Sequence, residues 1–201
     1  MDILTKTVCT EVSIKNSRFI SELLPCTSQA AARDILKEQK QKYADATHVC
    51  HAFVIGASGE ILGMSDAGEP SGTAGRPMLD VLKGRMCTDV LLTVTRYFGG
   101  TLLGTGGLVK AYGGCAKSVI ELADEQTAFE PLIPKTPFIC TIPYPLYETI
   151  KRYMSSLHTY NVTETFDTDI TLAGMIRCDE ADTFAARIHD MTSGKTVVRI
   201  G

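Results

Sequence analysis

The sequence predicts an α+β protein built as two domains, and three observations predict it. An apolar, β-branched run at residues 90–94 leads into a glycine-rich stretch and then into apolar residues at helical spacing, which reads as strand, loop, helix. An aperiodic segment with three prolines occupies residues 125–137 and divides the chain into domains at 1–126 and 136–201. Beyond it the pattern reads β-α-β-β-α-β, the ferredoxin-like order.

Composition narrows the class. At 201 residues, 44% hydrophobic and 21% charged, the chain suits an ordinary water-soluble globular protein. No apolar run approaches the ~18 residues of a membrane span, so no membrane association is expected. A net charge of −3 means that any nucleic-acid surface must be local. The N-terminal residues lack a signal-peptide pattern. The seven cysteines are scattered without a Cys-x-x-Cys, so reduced, mostly buried thiols in a cytoplasm are expected. No metal-ligand spacing and no cofactor fingerprint is found, so neither is expected.

In chain order, residues 7–14 and 19–25 alternate around Asn16-Ser17 as a hairpin. Residues 28–43 form a helix capped by Thr27 or Ser28. Strands follow at 48–56 and 61–65, joined by a turn at Ser58-Gly59. Pro77 starts a helix and Gly84 stops it. The helix after the glycine stretch buries Leu108, Ala111, Tyr112, Cys115, Val119 and Leu122, and ends near Asp124. Gly113 and Gly114 interrupt it, which predicts close approach of another backbone. In the second domain, strands are expected at 138–142, 162–166, 170–178 and 196–200. Helices are built on Tyr147, Ile150, Met154 and Leu157, and on Phe184, Ala185, Ile188 and Met191, with an Asp179/Asp182 capping box on the latter.

Two loops carry the candidate site. The first is Asp66-Ala67-Gly68-Glu69-Pro70-Ser71-Gly72-Thr73-Ala74-Gly75-Arg76-Pro77, and the second is Arg96-Tyr97-Phe98-Gly99-Gly100-Thr101-Leu102-Leu103-Gly104-Thr105-Gly106-Gly107. Both follow strands and precede helices, so they are expected to meet in one concave site. Glycines at a helix N-terminus expose N–H groups to an anion, and the dipole favours it; a tight turn is the plainer alternative. The spacing fits neither a P-loop, since Thr105 stands where Lys is required, nor a dinucleotide fingerprint, since Val109 replaces the third glycine. The ligand or phosphate candidates are His48, Asp66, Glu69, Ser71, Thr73, Arg76, Arg96, Gly99, Gly100, Gly104, Thr105, Gly106, Gly107 and Lys110. His48 is either a satisfied strand-end imidazole or a cleft residue. Asp66 reads as a turn residue. Glu69 either does acid/base work or neutralises Arg76 or Arg96. Arg96 meets a carboxylate or a phosphate, and Lys110 is solvated or faces an anion held by the loop. No residue is assigned a catalytic role.

These two loops, the first continued through Met78-Leu79 and the second through Leu108-Val109-Lys110-Ala111-Tyr112, together with Ala46-Thr47-His48 upstream, resemble the signature of the IMPACT/YigZ family over roughly residues 15–120. The resemblance implies an N-terminal domain similar to domain four of elongation factor G, a fold shared with a ribosomal protein and the GHMP kinases. It implies a C-terminal domain similar to domain five of the same factor, as in bacterial members. Eukaryotic relatives regulate translation by interfering with the kinase that senses amino-acid starvation. The expected function is therefore non-enzymatic and translation-associated: binding of RNA, the ribosome or a translation-regulatory protein through the glycine-loop face. The alternatives are a small-molecule phosphotransferase, for which Leu103-Gly104-Thr105-Gly106-Gly107 offers only one hydroxyl, and a hydrolase using Ser71 or Cys50 with His48.

Overall fold

The computed structural model describes residues 1–201, which separate into Met1–Leu132 and Ile133–Gly201. The first unit runs β1 (Asp2–Leu4), β2 (Val8–Ile14), β3 (Ser17–Pro25), α1 (Gln29–Lys42), β4 (His48–Ile55), β5 (Ile61–Ser65), α2 (Gly75–Arg85), β6 (Cys87–Thr88), β7 (Val90–Tyr97), α3 (Thr105–Glu125) and β8 (Phe129–Pro131). The second runs β9 (Lys135–Ile142), a 3-10 turn (Tyr144–Leu146), α4 (Tyr147–Met154), β10 (Thr159–Phe166), β11 (Ile170–Arg177), α5 (Cys178–Met191) and β12 (Arg199–Ile200). The protein is thus mixed α+β, and no helix is long and apolar enough to cross a membrane.

A five-stranded sheet of order β2-β3-β7-β4-β5 organises the first unit. Lys15 and Asn16, both at positive φ, close the β2–β3 hairpin as a mirror-image turn matched to strand twist. Every residue of β7 but Tyr97 is buried, because helices cover both faces of this central strand. Leu92 and Val94 meet Met78, Leu82, Tyr112 and Cys115 from α2 and α3. Leu91, of opposite parity, meets the α1 layer with Ile35 and Leu36. Ser28 caps α1 by accepting from the Ala31 N–H at 3.1 Å.

Several expectations are corrected. The segment 125–137 is not wholly aperiodic: β8 pairs antiparallel with β1, and β1 pairs parallel with β6, forming a small second sheet. Strands of two or three residues are too short to show a period. Helix α2 begins two residues before Pro77 and runs through Gly84, ending where Met86 turns left-handed at φ 55°. Gly113 and Gly114 admit no close backbone. An added Cβ at Gly113 would lie 3.7 Å from Pro77 Cβ, and at Gly114 it would meet open space.

In the second unit the strands are ordered β10-β11-β9-β12, every pair antiparallel. One face carries the core, with Phe138, Ile142, Ile170 and Leu172 against Ile150, Phe184 and Ile188. The Asp179/Asp182 capping box does not form. Asp179 instead takes the Arg177 guanidinium (Nε to Oδ1, 2.9 Å), and no side chain caps α5. All seven cysteines are free, five of them buried.

Candidate functional site

Strands β5 and β7 each run antiparallel to β4, so they run the same way and release their loops at one end of the sheet. This brings the two glycine loops together. In the first, a turn closes from the Glu69 N–H to the Asp66 carbonyl at 2.9 Å, with Ala67 and Gly68 left-handed at φ 46° and 93°. That turn directs Glu69 back over the sheet, where His48 and Arg96 are register partners on β4 and β7.

Glu69 is the centre of the site. Its Oε1 accepts from Arg96 Nη1 and from the Tyr112 hydroxyl, each at 2.7 Å. Its Oε2 faces His48 Nε2 at 4.0 Å. The Glu69 and Arg96 side chains are 3% and 6% exposed, so this is a buried ion pair. The Tyr112 hydroxyl is held firmly protonated by burial and by the neighbouring Cys50 thiol and Glu69 carboxylate. Cys50 Sγ lies 3.0 Å from the Asp66 carbonyl, and burial pushes its thiol up to about 12 despite the Tyr112 hydroxyl. It is therefore a hydrogen-bonding thiol and not a nucleophile, which removes one pillar of the hydrolase reading.

The second loop is anchored at its start. Gly99 crosses the β2–β3 turn so closely that an added Cβ would stand 1.8 Å from the Asn16 carbonyl oxygen. Its N–H donates to Ser17 Oγ at 3.2 Å, and Arg96 Nη2 reaches the same hydroxyl at 3.3 Å. At its end Gly104 adopts φ 71° and ψ 166°, a conformation open essentially to glycine alone. Helix α3 starts there with no side-chain cap and no acidic residue in its first turn.

Between the loops lies a cleft of about 410 Å³. Glu69, His48 and Arg96 contribute its polar lining. Pro70, Phe98, Leu102, Leu103 and Leu108 contribute apolar walls, and Gly104 and Thr105 bring in the α3 N-terminus. Of the sequence candidates, the structure gathers His48, Glu69, Arg96, Gly104 and Thr105 here. Asp66 serves elsewhere: its carboxylate accepts from the N–H groups of Gly72, Ala74 and Gly75 and so caps α2. Burial raises its pKa, but those three donors outweigh this and leave it below the ordinary value. Thr73 donates to the Pro70 carbonyl at 2.6 Å, Ser71 is exposed, and Arg76 pairs with Asp80 at 2.9 Å one turn along α2. Gly99 is structural, Gly100 turns at φ 85°, and Gly106 and Gly107 lie in the first turn of α3. Lys110 is exposed and forms no ion pair. No three His, Cys, Asp or Glu side chains are grouped to hold a metal ion.

Two participants receive no site role from the sequence, Tyr112 and Ser17, and Cys50 is weighed there only as a nucleophile. Tyr112 does leave a signal. A tyrosine in an otherwise apolar helical stripe needs a partner for its hydroxyl.

Comparison with known proteins places these features. A family model described as the Impact N-terminal domain matches residues 15–120. The IMPACT family member YvyE of Bacillus subtilis is 49% identical over 111 residues, covering 55% of this chain and 50% of that one, so this match spans half of the relative's length. The IMPACT family member YigZ of Escherichia coli is 33% identical over 183 residues, covering 90% of this chain and 88% of that one. A crystal structure of a hypothetical protein superposes with a TM-score of 0.74 at 32% identity, over 98% of this chain and 95% of the other.

Proposed function

Because this chain belongs to the IMPACT family, we propose that it is a non-enzymatic, translation-associated regulator that binds RNA, on the ribosome or free, through the cleft face of its first unit. The observation that carries the reading is the start of α3. Its first-turn N–H groups open beside the cleft with no capping side chain and no acid, and Lys110 stands unpaired one turn further on. Dipole, free donors and a cation together suit a phosphate. The interior of the cleft supports binding over chemistry, since Glu69 is held on one oxygen by both Arg96 and Tyr112. Arg96 therefore acts as the partner of Glu69, and the phosphate role passes to Lys110 and the helix terminus.

The finer fold assignments belong to the same proposal: domain four of elongation factor G for the first unit, and its ferredoxin-like domain five for the second. So does residence in the cytoplasm, where ribosomes are found. The test is co-sedimentation with ribosomes and binding to tRNA over a salt series. Affinity should fall steeply with salt, and Lys110→Ala should lower the log–log slope by about one without changing sequence preference. No binding at low salt, or an unchanged slope in Lys110→Ala, refutes the reading. ATP turnover by the purified protein would instead favour the phosphotransferase.

A further inference from the structure

The cleft holds two polar atoms to which the chain itself supplies no hydrogen-bond partner. His48 Nδ1 lies 2.9 Å from the Ala67 carbonyl oxygen. A carbonyl only accepts, so Nδ1 carries a proton, and in the neutral form of the ring Nε2 presents a lone pair. That lone pair faces Glu69 Oε2 at 4.0 Å, so two acceptors confront each other beyond hydrogen-bond reach. What completes them is a group presenting two adjacent donors. Charge selects further. Arg96 already balances Glu69, so a cationic ligand would leave an excess positive charge in a mostly apolar cleft, whereas a neutral pair of N–H groups would not. The walls specify the body of the ligand. Phe98 is 45% exposed and Leu102 83% exposed at the cleft, surfaces suited to a flat ring.

We propose that the cleft receives a guanine base, whose N1–H and N2 amino group donate to His48 Nε2 and Glu69 Oε2. Guanine is the base with two adjacent donors on its Watson–Crick edge. Adenine and cytosine place an acceptor beside their single amino group, and uracil places its one N–H between two acceptors. The sugar–phosphate then leaves past Gly104 and Thr105, where the uncapped α3 terminus stands. A volume of about 410 Å³ admits a base with its ribose. This inference rests on the RNA-binding reading above for one of its two sources, a guanosine in single-stranded RNA. The other source is a free guanine nucleotide.

The test is equilibrium binding of the full chain to GMP, IMP, AMP, CMP and UMP, and to single-stranded oligoribonucleotides with each base at one position of an otherwise uniform strand. Guanine should lead the other bases by about ten- to hundred-fold. IMP, which lacks the N2 amino group, should lose about tenfold against GMP. His48→Leu should abolish both differences while leaving the Glu69–Arg96 pair intact, as thermal unfolding will report. The comparison of GMP with IMP on the unmutated protein needs no variant to fold. Guanine preference in oligonucleotides and not in mononucleotides assigns the RNA source. Preference among mononucleotides with no RNA binding upholds the guanine site and refutes the RNA reading. Salt-sensitive RNA binding that is indifferent to base, or equal binding of GMP and IMP with no guanine preference among the oligonucleotides, overturns the guanine site and leaves the RNA reading standing. Binding of neither ligand class overturns both.

Discussion

Arg96→Met tests the centre of the site. The substitution keeps a long side chain against the Phe19 and Phe98 rings, each 5.5 Å from the guanidinium carbon, and removes the charge. Glu69 is then left as a carboxylate with 3% exposed side chain and only the Tyr112 hydroxyl as donor. Removing one partner of a buried ion pair costs about 3–5 kcal/mol. The lost contact to Ser17, at 3.3 Å, adds little. For a unit of 132 residues each kcal/mol lowers the melting temperature by roughly 3–5 °C, so a drop of about 9–25 °C is expected. The double variant Arg96→Met/Glu69→Leu removes both charges and strands only the Tyr112 hydroxyl, at about 1–3 kcal/mol. It should therefore be more stable than Arg96→Met alone. Urea unfolding followed by circular dichroism measures Arg96→Met, Glu69→Leu and the double variant. A cost below about 1 kcal/mol for Arg96→Met, or a double variant whose cost equals the sum of the single ones, would show that the pair is not a coupled buried unit.

Asp66 supplies a pH test: its pKa is lowered in the fold, so its stabilisation is present above the unfolded value of about 3.9 and is lost as pH falls through the folded pKa. Between pH ~5 and ~2 the melting temperature should fall less steeply in Asp66→Asn than in the parent, and identical slopes would exclude the cap from acid unfolding. Gly99→Ala should destabilise by more than about 2 kcal/mol, because the new methyl meets backbone, while Gly106→Ala, in open space on a helix, should be neutral or stabilising by up to about 1 kcal/mol; equal effects would refute the close approach at residue 99. Gly104→Ala should cost about 1–3 kcal/mol through its φ of 71° alone, since an added Cβ there meets nothing within 4 Å, and a stability unchanged from the parent would reject that backbone conformation. Limited proteolysis should cut first at 132–134, between β8 and β9, and leave two folded fragments; first cuts within 60–115 would count against the two-unit division.

What could be read in the sequence was set by local chemistry. Asn16 announced the hairpin, although the turn falls at Lys15-Asn16 and Ser17 already opens β3, while Ser28 announced the α1 cap and the run at 90–94 the buried strand, because each signal lies within a few residues of its effect. The meeting of the two glycine loops was also legible, since both follow strands and precede helices. What was not legible depends on partners distant in sequence. Glu69 had three candidate roles until the fold placed Arg96 and Tyr112 on one of its oxygens. Asp66 opens the turn read there, but its carboxylate also caps a helix beginning nine positions later, a role no local pattern announces. Gly113 and Gly114 were misread in the opposite sense, as close contacts where the structure has room. The constrained glycine is Gly99, whose neighbour Asn16 lies on another hairpin and leaves no trace in the local pattern.

The small sheet β6-β1-β8 bears on how the first unit comes to be folded. Its central strand, β1, takes both partners from far along the chain: β6 after the second helix, and β8 after the third. During synthesis from the N-terminus, Asp2–Leu4 would emerge long before Phe129–Pro131 and could not complete their pairing until the whole unit had been made. Closing so long a loop is a late and slow event in folding. The pairing of β1 with β6 and β8 ties the two ends of the unit together. A fusion partner attached rigidly before Asp2 would compete with that final step while leaving the cleft's own residues untouched.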